Sequence, residues 1–200
     1  MLKKKPSGRD EAELLYWRVL LAEPGHVNAL NNLANMLKKE PSGRDEAEVP
    51  YRRVLVVDPD YVDTLCNLGL LLSTEPGGCE EAIVMYQQAL AMEPDHVAAL
   101  VSLGYFLSKD SERLAEAEEL LRRALMIEPG LTWALGYLAV VLAARGDAGA
   151  LEEAMQLCKR ARMAVAGKDV DIRAHVTAAL GIVLLRSGDA AAAREKLDEA

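Results

Sequence analysis

Apolar residues along this chain recur at the spacing of one helix face. After each of four regularly spaced prolines, apolar residues fall at positions i, i+3, i+4 and i+7, which is the period of an amphipathic helix. These stripes are Leu30, Leu33, Ala34 and Leu37; Leu65, Leu68, Gly69 and Leu72; Leu100, Leu103, Gly104 and Leu107; and Leu135, Leu138, Ala139 and Leu142. A fifth set of the same form is Thr177, Leu180, Gly181 and Leu184. The tiny third residue predicts a point where another backbone comes close.

A second type of helix is predicted next to each of the first, and we call the two types helix A and helix B. Helix B carries a small–large–small pattern. Its members are Ala12, Tyr16, Val19; Ala47, Tyr51, Val54; Ala82, Tyr86, Ala89; Ala117, Leu121, Ala124; Ala154, Cys158, Ala161; and Ala193, Leu197, Ala200. A proline then ends helix B in the first four sets, because the residue before a proline is pushed out of the α region. The two patterns together predict antiparallel helix pairs.

The pairs belong to an internal repeat. Pro24, Pro59, Pro94 and Pro129 each lie 35 residues after the last. The segments Met1–Glu13 and Met36–Glu48 differ only where Lys5 is replaced by Glu40. A fixed period of this length is typical of helical arrays in which each unit buries its apolar face against its neighbours.

We predict about eleven helices in one array that covers residues 1–200. The expected parts are a half repeat over 1–26, repeats over 27–61, 62–96, 97–131 and 132–170, and a partial repeat over 171–200. A lone helix B near 10–22 comes first, and the final pair begins near 171. Because both ends of the sequence fall inside a repeat, we expect a piece of a longer array, or an array whose open ends associate.

These residues resemble the tetratricopeptide-repeat (TPR) family. The resemblance rests on the small residue in helix A, the alanines of helix B, the terminal proline and a unit near 34 residues. It implies an all-α superhelical solenoid of antiparallel helix pairs. Leucine stands where helix A of the family has aromatic residues, and the first units have one extra residue in the turn from A to B. Pentatricopeptide repeats, which bind RNA, share the 35-residue period but lack this pattern.

Composition and charge narrow the expected partners and location. The net charge of −8 argues against nucleic acid, since phosphate-binding surfaces carry a basic excess. No apolar run approaches the ~18 residues of a membrane span, and the N-terminus has no signal-peptide pattern. Three separate cysteines without a C-x-x-C pair indicate small buried residues in a reducing compartment. We therefore expect a cytoplasmic protein that binds neither nucleic acid nor membrane.

No catalytic motif is present, so we expect no enzyme activity, no cofactor and no metal. The sequence has no phosphate-binding loop, no H-E-x-x-H motif and no nucleophile with a nearby base. His26 and His96 share one repeat slot with Tyr61 and Leu131, which argues against a metal ligand. On the outer helices, glutamates precede arginines by four residues and predict a solvated ridge of ion pairs. Those arginines are Arg52, Arg122 and Arg123.

The resemblance places the candidate site on the face of helix A that does not pack, which lines the concave groove in TPR proteins. The predicted groove residues are Asn28, Asn31, Asn32, Asn35, Asn67, Leu70, Val101, Ser102, Tyr105, Trp133, Tyr137 and Val140. Asparagine both donates and accepts, so a row of asparagines can hold a peptide backbone. Tryptophan and tyrosine are frequent interface anchors. We therefore predict a scaffold that binds a peptide or a partner helix.

Several alternatives stand beside this interpretation. The asparagines can serve solubility while Trp133 packs between repeats, and the array can be a structural module that forms homo-oligomers through its ends. The chain can also be the substrate-recruiting arm of a larger enzyme. Asn32 and Asn67 are similar to the asparagine ladder in the TPR arm of O-linked N-acetylglucosamine transferase, although Ser102 and Tyr137 break it. Chaperone-binding TPR proteins clamp a carboxylate with Lys and Arg that this face lacks.

Overall fold

The computed structural model describes residues 8–39, 43–164 and 170–188, and no strand occurs in these ranges. The helices are α1 (Gly8–Ala22), α2 (Val27–Leu37), α3 (Arg44–Val57), α4 (Val62–Leu72), α5 (Cys79–Met92), α6 (Val97–Leu107), α7 (Leu114–Ile127), α8 (Thr132–Arg145), α9 (Ala148–Ala164) and α10 (Val170–Arg186), with a 3₁₀ turn at Ser111–Arg113. The prediction of an all-α array of helix pairs is confirmed. The last predicted helix B, near 190–200, lies outside the described residues.

The helices form two compact units. Unit 1 spans Met1–Pro94 and unit 2 spans Asp95–Ala200. In unit 1, α2 packs on α3 and α4 on α5, while α1 packs on α2 and α3 on α4. In unit 2, α6 packs on α7 and α8 on α9, while α7 contacts α8, and α10 contacts both α8 and α9. Within each unit, helices of type A and type B therefore alternate as the two sequence patterns predict. The exact repeat boundaries remain a prediction.

The core of each unit is built from the two predicted stripes. The small–large–small residues of α3, α5, α7 and α9 are all at most 1% exposed: Ala47, Tyr51, Val54, Ala82, Tyr86, Ala89, Ala117, Leu121, Ala124, Ala154, Cys158 and Ala161. The leucines of the helix A stripes are also buried, apart from the half-buried Leu37. Apolar burial of this kind is the main force that holds folded chains together. Because each pair buries its face against a neighbour, the pairs stabilise one another.

The tiny residue of helix A makes room chiefly for a large side chain of helix B. A Cβ atom added to Gly69 would lie 3.0 Å from Cζ of Tyr86, and one added to Gly104 would lie 2.8 Å from Cγ of Leu121. At Gly104 the carbonyl oxygen of Ala117 is also near, at 3.3 Å. The predicted close approach of a second backbone therefore occurs at Gly104, whereas at Gly69 the nearest neighbour is an aromatic ring.

Histidine has a local structural role at the start of two A helices. Nδ1 of His26 accepts a hydrogen bond from the backbone N–H of Ala29, and Nδ1 of His96 accepts one from Ala99, both at 3.2 Å. The first N–H groups of a helix have no partner within the helix, so these bonds satisfy one of them. The histidines of this slot are helix caps, a role that the sequence pattern did not reveal.

Candidate binding face on the A helices

The outer B helices carry cross-repeat ion pairs. Arg122 lies 2.9 Å from Glu118 on its own helix α7 and 2.6 Å from Glu153 on α9. Hydrogen bonding to Arg122 lowers the pKa of Glu153. In unit 1, Arg52 makes the same bridge from α3 to α5. The predicted i,i+4 pairs at these two arginines are confirmed, and both arginines also link successive B helices.

Another position of the B helices binds the turn that ends the preceding B helix. The Arg53 guanidinium donates to the carbonyl oxygen of Pro24 at 2.6 Å, and Arg160 donates to that of Pro129 at 3.0 Å. The Gln88 amide donates to the carbonyl oxygen of Pro59 at 2.9 Å. Side chains on the outer surface of the B helices thus form hydrogen bonds between successive repeats, which the sequence pattern did not predict.

Arg123 occupies the same repeat position as these side chains. It pairs with Asp95 at 2.7 Å rather than with the predicted partner, Glu119. Asp95 follows Pro94, so Arg123 also joins helix B to a proline turn, through a carboxylate instead of a carbonyl. The expected Glu119–Arg123 pair was therefore wrong, because a closer acceptor lies on the neighbouring turn.

The asparagines of unit 1 are engaged with neighbouring side chains. Asn31 is buried, and its amide oxygen accepts a hydrogen bond from the Thr64 hydroxyl at 3.0 Å. Asn28 is exposed, and its oxygen accepts from the Tyr61 hydroxyl at 3.2 Å. These bonds join α2 to the start of α4. Asn31 therefore serves the packing of two A helices and is not accessible to a ligand.

The next turn of the same face is also bonded. The amide oxygen of Asn35 accepts from the Tyr51 hydroxyl, and that of Asn67 accepts from the Lys38 ammonium, both at 2.6 Å. Burial raises the pKa of Tyr51 and lowers that of Lys38, where the neighbouring Lys39 adds to the effect. Asn35 and Asn67 are half-buried. Both are therefore fixed in orientation by these bonds, and each side chain keeps an amide NH₂ group that is chemically able to donate.

The exposed members of the predicted set in unit 1 are Asn28, Asn32 and Leu70. Cys66 lies on α4, like Leu70, and its thiol has its pKa raised to about 12 by burial and by the charges of Asp63 and Glu93. A thiol in that state is a poor nucleophile at neutral pH. The exposed predicted residues of unit 1 thus combine two amide side chains with one apolar side chain, Leu70.

Unit 2 presents four ring side chains in mutual contact. We call Tyr105 of α6, Trp133 and Tyr137 of α8, and His175 of α10 the aromatic cluster. Ring centroids lie 4.7 Å apart for Tyr105 and Tyr137, 6.1 Å for Trp133 and Tyr137, and 4.6 Å for Trp133 and His175. All four side chains are half-buried. Three successive A helices thus contribute to one partly exposed aromatic surface.

His175 was not among the predicted residues. Its Nε2 atom faces Gly136, where an added Cβ atom would lie only 2.5 Å away. Nε2 is buried and has no hydrogen-bond partner among the described residues. Burial lowers the pKa of His175, and a backbone hydrogen bond with Trp133 opposes that effect. When Thr177, the first residue of the fifth apolar stripe, is aligned with Leu135, His175 takes the repeat position of Trp133. The fifth stripe could therefore have predicted His175 as a residue of this face.

Helices α6 and α8 bring little charge to the aromatic cluster, whereas α10 carries the exposed Arg173 two residues before His175. Helix α6 has no charged residue, and α8 has none before Arg145. Val101, Ser102 and Val140, the remaining predicted residues of this face, are half-buried. Lys109 is a nearby cation, with Nζ 4.5 Å from the Tyr105 ring centroid. Such cation–π contacts hold the ammonium group over the ring.

Other kinds of site have little support in the part of the chain that the structure describes. No group of three or more His, Cys, Asp and Glu side chains there is arranged to hold a metal ion. None of the described helices combines the length and apolar character needed to cross a membrane.

The stacked A and B helices make the chain a helical-repeat protein, and similar solved structures identify the fold. No protein-family model and no curated protein matches the sequence. PilW, a type IV pilus biogenesis factor, is 22% identical, with a TM-score of 0.74 over 96% of this chain and 84% of its own. A tetratricopeptide-repeat protein from Parabacteroides merdae is 19% identical, with a TM-score of 0.74 over 96% and 72%. YrrB, a TPR protein with an unusual peptide-binding site, is 21% identical, with a TM-score of 0.69 over 92% and 89%. The chain has the TPR fold.

Proposed function

We propose that this chain is a protein-binding TPR module whose main contact surface is the aromatic cluster of unit 2. The observation that carries the proposal is the presence of four half-buried rings on three A helices, two of which, α6 and α8, have no charged residue before Arg145. Tyr and Trp are enriched among residues that dominate binding energy, because they bury large area at low entropic cost. In this role the chain binds other proteins and performs no catalysis.

The chemistry of the cluster favours an apolar or aromatic segment of a peptide or partner helix. A carboxylate placed over Trp133 and Tyr137 would lose its hydration and meet the negative face of each ring. In unit 1, the exposed Asn28, Asn32 and Leu70 are proposed to contact a backbone, with Asn35 and Asn67 as further donors. The similar structure of YrrB, described as having a peptide-binding site, supports a peptide ligand.

The proposal is tested with a peptide selected from a phage-displayed random library against the intact chain. We expect Trp133→Ala or Tyr137→Ala to weaken binding of the selected peptide by about tenfold or more, corresponding to ~1.4 kcal/mol. Trp17→Ala is the matched control, since Trp17 is a partly exposed tryptophan on α1, outside the aromatic cluster. Far-ultraviolet circular dichroism of each variant shows whether the helices are retained.

The rival location is the outer surface of the B helices. If Met126→Ala, on the exposed outer face of α7, abolished binding while Trp133→Ala left it unchanged, the working surface would be the convex one. The proposal would also be overturned if no peptide could be selected that binds saturably and whose binding depends on the aromatic cluster.

A further inference from the structure

The outer side of α5 lacks the charged residues that the other described B helices carry. After Glu81, α5 has no charged residue up to its end at Met92. The helices α1, α3, α7 and α9 each have at least one arginine in the corresponding stretch. One side of α5, at positions i, i+3, i+4 and i+7, thus holds only uncharged residues, which we call the α5 face: Val84, Gln87, Gln88 and Ala91.

The α5 face is accessible to a ligand. Val84 is 53% exposed, Gln87 and Ala91 are exposed, and Gln88 is half-buried. On the neighbouring helix α3, Val56 is 82% exposed, and the hydrogen bond from Gln88 to Pro59 holds this end of α3 against α5. Exposed apolar area that is poor in charge and framed by polar residues is typical of protein interaction sites.

A cation is missing beside the turn that the α5 face contacts. Gln88 donates to the carbonyl oxygen of Pro59 at 2.9 Å. Three sister helices have an arginine at this repeat position and bond it to the corresponding proline turn: Arg53, Arg123 and Arg160. Glutamine keeps the hydrogen bond to the turn but brings no positive charge to it.

The turn beside Gln88 is acidic. Asp58 and Asp60 flank Pro59, and both line one surface cleft with Glu93, which directly follows α5. Among the described residues, the ion pairs of unit 1 join Arg52 to glutamates, and none of them involves these three carboxylates. The C-terminal end of α5 adds the negative end of its helix dipole. The uncharged face therefore ends at a concentration of negative charge.

We infer that the α5 face binds an amphipathic helix of another protein that carries lysine or arginine beside its apolar stripe. The stripe packs on Val84 and Ala91, which lie two helical turns apart, a spacing that a partner helix matches with its own apolar residues. No charge has to be desolvated there. A cation of the partner takes the place of the missing arginine and pairs with the acidic turn, which repels an acidic partner.

The inference is separate from the proposed role of the aromatic cluster. The α5 face and the acidic turn belong to unit 1, and the cluster belongs to unit 2. The two surfaces also differ in chemistry, because rings in mutual contact form one of them and uncharged residues beside carboxylates form the other. Each role can fail without the other.

The probe is a synthetic helical peptide of about 18 residues, or five turns, with leucine and alanine along one side and lysine on the other. One matched peptide has glutamate in place of every lysine. A second has the composition of the probe, with its apolar residues spread around the helix. Fluorescence anisotropy at physiological salt measures binding to the intact chain. We expect saturable binding of the probe and binding weaker by about tenfold or more for both matched peptides, since each lacks one required feature.

Matched variants of the chain locate the contact. Val84 and Val49 hold the same repeat position and are 53% and 61% exposed. Val84→Lys puts a cation into the α5 face and should weaken binding of the probe by about tenfold or more, because like charges then meet. Val49→Lys, on α3, should have little effect. Circular dichroism checks that both variants keep their helices.

The acidic turn is tested by combining Asp60→Asn with Glu93→Gln. The double variant should weaken binding of the probe by about threefold or more and make it less sensitive to salt. The control combines Asp45→Asn with Glu46→Gln, which removes the same charge from the first turn of α3, at the other end of that helix from Asp58. We expect a smaller effect from the control.

Several outcomes would overturn the inference. They are the absence of saturable binding, equally tight binding of either matched peptide, and equal loss within either matched pair of variants. Loss of probe binding in Trp133→Ala but not in Val84→Lys would place the probe on the aromatic cluster, so the inference would fail while the proposed function stood. A dimer of the free chain that Val84→Lys dissociates and Val49→Lys does not would assign the α5 face to a second copy instead.

Discussion

Gly104 of α6 lies so close to Leu121 of α7 that a single added Cβ atom would come within 2.8 Å of the leucine Cγ. Leu121 is fully buried, and the carbonyl oxygen of Ala117 closes the same gap from the backbone side. Neither neighbour can move away without disturbing the packing of the pair. The contact between these two residues therefore sets how closely α6 and α7 approach.

Replacing Gly104 tests this contact directly. We expect Gly104→Leu to destabilise the chain by ~1–3 kcal/mol or more, because overpacking forces side chains out of their rotamers. Urea unfolding followed by circular dichroism measures the change. The double variant Gly104→Leu with Leu121→Ala should recover part of the loss, since the new side chain then has room. If the changes in unfolding free energy of the two single variants simply add up in the double variant, the two residues are not coupled.

A second prediction concerns the arginines of the outer surface. Arg122 and Arg123 form ion pairs across repeats, but both are partly exposed to solvent. We expect Arg122→Ala and Arg123→Ala each to lower stability by about 0.2–1 kcal/mol, the range of exposed pairs, and to do so less at high salt. Neither should change the affinity of a peptide selected for the aromatic cluster. Thermal unfolding at low and high salt measures the change in stability, and titration with the selected peptide measures the affinity.

The repeating residues carried most of the fold information. The leucines of the apolar stripes, apart from the half-buried Leu37, and the small–large–small sets of α3, α5, α7 and α9 lie in the buried core, because each repeat packs residues of the same sizes in the same way. The period breaks after Ala161. His175 therefore went unnoticed, although the fifth stripe places it beside Trp133.

The candidate site was harder to predict because polar side chains choose their partners in three dimensions. Asn31 falls on the same helix face as Asn28 and Asn35, yet it is buried against Thr64 on the next A helix. Periodicity along one helix cannot show how far a neighbouring helix covers that face. Similarly, Arg123 has a glutamate at the favourable i−4 spacing but binds Asp95 on an adjacent turn.

A third prediction concerns thiol reactivity. Burial raises the pKa of Cys158 to about 12, and its side chain is fully buried on α9. We expect Cys158 to resist alkylation at neutral pH in the folded chain and to react once the chain is unfolded, because the thiolate is the reactive form. Mass spectrometry after brief iodoacetamide treatment reports the modified site. Rapid modification of Cys158 under native conditions would mean that α9 opens readily from α8.

The last prediction concerns pH. Burial holds the pKa of His175 below its ordinary value of 6.5, and the buried Nε2 has no hydrogen-bond partner among the described residues. Of the groups packed on it, Tyr137 has its own pKa raised to about 12 and therefore stays neutral. The unfolded chain then binds the proton of this imidazole more tightly than the folded chain does. The contribution of His175 to stability is therefore present above about pH 6.5 and is lost as the pH falls through that value toward the lower folded pKa.

His175→Phe keeps a ring in the aromatic cluster and removes the titration. We expect the free energy of unfolding of the native sequence to fall between pH 7.5 and pH 5.5 by more than that of the variant. Measuring the difference between the two proteins removes the contributions that are common to both chains. Tryptophan fluorescence adds a local report, since the Trp133 ring lies 4.6 Å from that of His175. Identical pH profiles for the two proteins would show that the imidazole is not held neutral in the cluster.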